Sequence, residues 1–172
     1  MSSRLIIIIG GSGVGKSTLA RALQEELLPN QWLHFSVDTI FYCLPRSIVA
    51  QVDQMNDRTL VDSKAIVTAA YECAGTLLSL GHRVIFDTVV ISQTGAQNLL
   101  RAFDGLEPLI VQLSCSWEEI RGRTLVRGDR TLEEAEHGLK NAGPHLVAHL
   151  TFDTTSTSAN SIAQQLAVRV RP

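Results

Sequence analysis

The chain has 172 residues, a formal net charge of −2, and 45% hydrophobic against 19% charged residues. This balance predicts one ordinary globular domain with a sizeable core, and the lack of a basic run argues against a nucleic-acid partner. The apolar run 5–9 is far shorter than the roughly 20 residues that span a bilayer, and no signal-peptide cleavage pattern follows it, so we expect a cytoplasmic protein with no membrane partner.

Short β-rich runs alternate with longer helical segments, which is typical of a parallel α/β sheet. The first run, Arg4–Ile9, is continuous and rich in isoleucine, as expected of a central strand buried on both faces. A helix begins near Lys16 and ends at Pro29 and Asn30. The other predicted elements are strands at 33–37, 83–86, 109–113 and 150–153, and helices at 64–80, 118–126, 132–140 and 159–168.

The segment 41–62 has no clear period, and it fits either a helical flap over a substrate or an irregular surface connection. The helix at 64–80 is predicted to turn one apolar face inward, made of Ala65, Ile66, Ala69, Ala70, Cys73 and Leu77. The chain's three cysteines, Cys43, Cys73 and Cys115, lie far apart among apolar neighbours. We expect them to be small buried hydrophobic residues without a disulfide framework, which fits a reducing cytoplasm.

The run Gly10–Ser17 matches the phosphate-binding pattern G-x-x-x-x-G-K-[ST]. A buried strand precedes it and an amphipathic helix follows it, which is the context that this motif requires. Its glycines let backbone N–H groups point at phosphates, while Lys16 can bridge the β- and γ-phosphates and the Ser17 hydroxyl can bind Mg²⁺. The residues predicted to hold the phosphates of MgATP are Gly11, Ser12, Gly13, Val14, Gly15, Lys16, Ser17 and Thr18.

Two aspartates follow predicted strands. Asp87 comes directly after the strand at 83–86, where it can bind Mg²⁺ or cap a following turn. Asp38 follows the second strand, and open α/β sheets bind ligands at this edge. Asp38 can therefore orient an acceptor hydroxyl and take its proton, or it can be the N-cap of a helix that begins at Thr39.

Four arginines, Arg121, Arg123, Arg127 and Arg130, surround Gly128-Asp129. Guanidinium groups bind phosphate oxygens through paired hydrogen bonds, so Arg127 and Arg130 are interpreted as part of a lid at about 121–140. The alternative is a solvated basic face paired with neighbouring glutamates. His145 and His149 have zinc-ligand spacing, but no cysteine or glutamate completes a site nearby, so a solvated or capping pair is the preferred interpretation.

With these residues placed, the chain resembles the chloramphenicol phosphotransferase family of ATP-dependent antibiotic kinases. The resemblance runs end to end and rests on these segments: Ile8–Ser12 with Gly15–Ser17, Phe35–Asp38, Val84–Asp87, Gly122-Arg123 with Arg127–Arg130, and Asp153–Thr155. It implies a P-loop fold with a sheet ordered 2-3-1-4-5 and helices on both faces. It also implies that Asp38 is the catalytic base, that Arg127 and Arg130 lie near the phosphates, and that Thr154 lies near the adenine. Arg123, whose segment carries part of the resemblance, is likewise predicted to bind the nucleotide.

The sequence departs from the family pattern in three places. Thr88 stands where a second acidic residue often follows the third-strand aspartate, and Ala148-His149 stands where a tyrosine–aspartate pair is expected. The region between Asp38 and the third strand is also short.

From the motifs and the resemblance together, we expect a kinase that phosphorylates a hydroxyl of a small molecule, chloramphenicol-like or related. A metabolite, nucleoside or nucleotide kinase and a nucleotide-gated binding protein remain the alternatives.

Overall fold

A parallel five-stranded sheet forms the centre of the protein. The computed structural model describes residues 3–55, 57–127, 131–141 and 145–170. The strands are β1 (Leu5–Ile9), β2 (Trp32–Ser36), β3 (Arg83–Thr88), β4 (Leu109–Ser114) and β5 (Leu150–Asp153). They lie in the order β2-β3-β1-β4-β5, and every neighbouring pair is parallel, which confirms the expected P-loop topology.

Helices cover both faces of the sheet. They are α1 (Lys16–Glu26), α2 (Val37–Phe41), α3 (Arg46–Met55), α4 (Ser63–Ser79), α5 (Gln93–Ala102), α6 (Trp117–Arg127), α7 (Leu132–Asn141) and α8 (Ala159–Val170). One core cluster joins α1 and α8 to one face, and a second joins α4 and α5 to the other. Within the described ranges, none of these helices has both the length and the apolar character needed to cross a bilayer.

Helix α5 was not predicted, and α2 and α3 were predicted only as alternatives, namely a helix beginning at Thr39 and a helical flap within 41–62. The segment 41–62 contains α3, so the interpretation of it as a wholly irregular connection is wrong. Helix α2 is only five residues long, and a capping box fixes its start: Ser36 Oγ accepts from the Thr39 backbone N–H, and Thr39 Oγ1 accepts from the Ser36 N–H. Such short, side-chain-capped helices leave little periodicity in a sequence.

The inward face of α4 differs from the predicted one. Its buried residues are Ala70, Tyr71, Ala74 and Leu78, so Cys73 points outward. Alanine is the most frequent residue of this helix, and its weak apolar pattern did not define which face points inward. Cys43 is also exposed, with its Sγ donating to the Thr39 carbonyl at 3.3 Å. Only Cys115, at 9% exposure, fits the expectation of a buried cysteine.

Candidate functional site

The start of α1 differs from other helix starts in the described chain because it lacks a side-chain cap. Gly15 is its N-cap, at φ +95°, and no side chain of the described residues caps its first turn. By contrast, α2, α4 and α5 are capped by Ser36, Asp62 and Ser92. The first turn of α1 also carries no acidic residue. Uncapped N–H groups and the positive end of the helix dipole together favour a bound phosphate.

The loop between β1 and α1 is held in its shape by close backbone approach. A Cβ on Gly10 would lie 2.5 Å from the Leu113 carbonyl oxygen at the end of β4, so only glycine fits there. Lys16 Nζ donates to the Gly11 carbonyl at 2.9 Å, which keeps the ammonium group over the loop. The loop therefore has the compact form that a phosphate-binding loop requires.

Thr154 and Arg123 connect this loop to the end of β5. The buried Thr154 hydroxyl donates to the Val14 carbonyl at 2.8 Å. The Arg123 guanidinium donates to the Thr154 carbonyl at 2.8 Å and to Glu119 Oε1 at 3.1 Å. It also lies 3.6 Å from where a Cβ on Gly15 would be. Both residues predicted to bind the nucleotide thus border the P-loop, and their polar groups also brace it.

Asp87 lies on the α1 side of the sheet. In β3, Ile85 packs in the core cluster of α1, and residues two apart in a strand share a face, so Asp87 points the same way. Asp87 is only 5% exposed and pairs with Ile8, two residues before the P-loop. A buried carboxylate on the side of α1, whose second residue is Ser17, offers the oxygen ligands that Mg²⁺ prefers. Strand β3 runs one residue further, to Thr88, so Asp87 lies within it.

Asp38 was predicted to follow a strand directly, but the structure places it inside a short helix. Strand β2 ends at Ser36, and Asp38 is an exposed residue in the first turn of α2. Because Ser36 is the N-cap, the capping alternative for Asp38 is wrong. Strands β1, β2 and β3 are parallel, so their carboxyl ends bring the P-loop, Asp38 and Asp87 to the same edge of the sheet.

The predicted lid contains α6 and α7, joined by residues outside the described ranges. Arg127 ends α6, and Arg130 lies outside the described residues, so their role stays a prediction. Helix α7 is anchored by the fully buried Ala135. One turn later it approaches the P-loop so closely that a Cβ on Gly138 would lie 3.1 Å from Ser12 Cβ.

Sequence reasoning missed two contacts of this site. His34 Nε2 lies 2.6 Å from Asp87 Oδ2, and Gly138 lies against Ser12. His34 is flanked by apolar residues in a strand, and Gly138 is a single glycine in a helix, so neither carries a motif. His149 has a structural contact instead: its Nδ1 accepts the Ile110 backbone N–H at 3.0 Å.

Residues 3–171 match the model of the family described as chloramphenicol phosphotransferase-like protein. A candidate O-phosphotransferase of Mycobacterium tuberculosis is 28% identical over 95% of this chain and 80% of its own length. A guanylate kinase of Mycolicibacterium paratuberculosis is 29% identical over 87% of this chain and 72% of its own length. Among solved structures, a sugar kinase from a Janibacter species superimposes with a TM-score of 0.74 at 16% identity, covering 99% and 96% of the two chains, which supports the fold alone.

Proposed function

We propose that this chain, which belongs to the chloramphenicol phosphotransferase-like family, transfers the γ-phosphoryl group of MgATP to a hydroxyl of a small molecule. Family membership makes it a phosphotransferase enzyme of the kinase type. The proposal adds the identity of the nucleotide, the metal and the kind of acceptor. It places the activity in one P-loop kinase domain over residues 1–172, with a lid at about 121–140.

The observation that carries the proposal is the uncapped start of α1 at the same sheet edge as two aspartates. The capped helices show that this chain supplies side-chain caps elsewhere, so the missing side-chain cap at the start of α1 favours a ligand there. That ligand is an anion, since the first turn has Lys16 and no acidic residue. Asp87 and Asp38 differ in burial, which fits two different roles.

In the proposed reaction, residues 11–18 and Arg123 hold the phosphates and Thr154 borders the adenine. Ser17 and Asp87 would hold Mg²⁺, which would neutralise charge on the phosphates. Asp38 accepts the proton of the acceptor hydroxyl as the hydroxyl oxygen attacks the γ-phosphorus, and ADP leaves. Because the transition state of phosphoryl transfer is loose, positioning and charge stabilisation by Lys16 and the lid arginines supply most of the rate.

The test is an ATP-consumption screen against chloramphenicol-like antibiotics, sugars, nucleosides, amino alcohols and nucleoside monophosphates, with phosphorylated products identified by mass. We expect one class of alcohol to give a product heavier by one phosphoryl group. The matched control is Lys16→Ala, which should give no product. If the protein binds MgATP tightly but phosphorylates no acceptor in a broad screen, the nucleotide-gated binding protein becomes the better interpretation.

Nucleoside monophosphates belong in the screen because of the guanylate kinase similarity. A monophosphate acceptor needs cations in the segment 41–62, which offers Arg46 and Arg58. The Arg58 guanidinium lies 6.0 Å from the centre of the Phe41 ring, so it already makes a cation–π contact within the protein. We therefore expect neutral alcohols to be better acceptors than nucleoside monophosphates.

A further inference from the structure

A histidine and an aspartate form a short hydrogen bond beneath the proposed metal site. His34 Nε2 lies 2.6 Å from Asp87 Oδ2, and their side chains are 18% and 6% exposed. In the register of β2 and β3, Ser36 pairs with Asp87 and His34 pairs with Ile85. The imidazole therefore reaches along the sheet, on the α1 face, to the carboxylate of the neighbouring strand.

This contact decides how the Asp87 carboxylate is oriented. A carboxylate with so little exposure needs a hydrogen-bond donor, and His34 is the partner that the described residues give it. Because an ionised carboxylate can only accept, the imidazole carries its hydrogen on Nε2. The bond occupies Oδ2 and, as far as the described residues go, leaves Oδ1 for another ligand.

We infer that His34 is a positioning residue for metal binding: it donates Nε2–H to Asp87 Oδ2 and thereby aims Oδ1 at the Mg²⁺ that accompanies the nucleotide. The inference rests on the proposed function, because it needs Asp87 to be a ligand of that metal, directly or through water. Groups that orient a metal-binding carboxylate are worth about 10–100-fold in metal affinity.

A purely structural pair predicts a different behaviour. If the hydrogen bond only joined β2 to β3, its loss would lower the stability of the fold without favouring either metal-bound or metal-free nucleotide. A positioning residue acts only where the metal is present. The ratio of ATP affinity with Mg²⁺ to ATP affinity without Mg²⁺ therefore separates the two roles, and it needs no acceptor and no turnover.

The experiment uses the full chain, with ATP affinity measured by calorimetry in excess Mg²⁺ and again in excess EDTA. His34→Gln keeps an N–H donor near the Nε2 position, whereas His34→Leu keeps comparable bulk without a donor. We expect the leucine variant to lose about 10–100-fold of affinity in Mg²⁺ and none in EDTA, and the glutamine variant to stay within a few fold of the unmodified protein. His149→Leu, which removes a histidine hydrogen bond far along the sheet, should leave the ratio unchanged.

Two results would overturn the inference. The first is a folded His34→Leu protein with an unchanged affinity ratio, either because both affinities are unchanged or because they fall equally in Mg²⁺ and in EDTA. If the leucine variant does not fold, His34→Asn serves instead, since its amide is too short to reach Oδ2, and an unchanged ratio in that variant is the second. An unmodified protein that binds ATP no better with Mg²⁺ than without would instead refute the proposed magnesium site itself, so the two failures differ.

Discussion

Replacing Asp38 by Asn separates catalysis from structure at the proposed base. Asn keeps the size and one hydrogen-bonding oxygen but cannot accept the proton of an acceptor hydroxyl. Loss of a general base typically costs about 10²–10⁴-fold in rate, which corresponds to roughly 2.7–5.5 kcal/mol in the activation barrier. We therefore expect the turnover number of Asp38→Asn to fall by that factor while its MgATP affinity stays within a few fold.

The structure limits how much stability the same change can cost. Asp38 is exposed, and Ser36 caps α2, so the substitution removes only the interaction of a carboxylate with the start of a short helix. That interaction is worth about 0.3–1 kcal/mol. The expected catalytic loss is several times larger than the expected stability loss, so a melting curve and a turnover assay on one protein distinguish them.

The matched control is Asp62→Asn. Asp62 is the N-cap of α4, where its Oδ1 accepts the Ala65 backbone N–H at 2.9 Å, and Asn caps helices about as well as Asp. This variant makes the same chemical change at another helix start, and its turnover should match that of the unmodified protein. Full turnover in Asp38→Asn, with the acceptor found by the screen, would refute Asp38 as the base and leave positioning and charge as the whole mechanism.

The remaining predictions concern the loop and the lid. MgATP at about 100 times its dissociation constant should stabilise the fold by roughly 2.7 kcal/mol, a melting shift of about 5–10 °C, and Lys16→Ala should abolish most of it; no shift in the unmodified protein would refute nucleotide binding. Arg127→Ala and Arg130→Ala should each lower turnover by about 10²-fold or more, and near-normal rates in both would show that they are ordinary surface charges. Gly138→Ala should weaken MgATP binding, because the new Cβ would lie 3.1 Å from Ser12 Cβ in the P-loop. The gain in helix propensity, about 1 kcal/mol, should keep the melting point near normal. An unchanged MgATP affinity would show that α7 shifts to make room for the new methyl group.

The sheet was predictable because its strands carry their signal locally. A run such as Leu5–Ile9 is apolar throughout and fully or nearly buried in the structure, as both faces of a central strand require. Helices α2 and α5 carry a much weaker local signal than the strands do. Helix α2 has five residues and α5 carries a glycine at Gly95, so neither shows two clear turns of apolar spacing.

The phosphate loop was predictable for the same reason, since the motif and its flanking elements lie in one short stretch. The contacts that brace the site join distant residues. The Thr154 hydroxyl meets the Val14 carbonyl across 140 positions, and His34 meets Asp87 across 53. Such pairs depend on the order of the strands and on the face that each residue occupies. A single sequence does not specify these until the topology is known.

The different burial of the two aspartates argues for a division of roles at this sheet edge. A metal-binding carboxylate gains from being fixed, and Asp87 is almost fully buried and hydrogen-bonded to His34. A base that must meet acceptors entering from solvent gains from access, and Asp38 is exposed at the start of α2. If the roles were exchanged, the acceptor would have to reach a carboxylate beneath the P-loop, and the metal would be held by a side chain that no described side chain orients. The assignment of Asp87 to the metal and Asp38 to the acceptor is therefore the one that the fold favours.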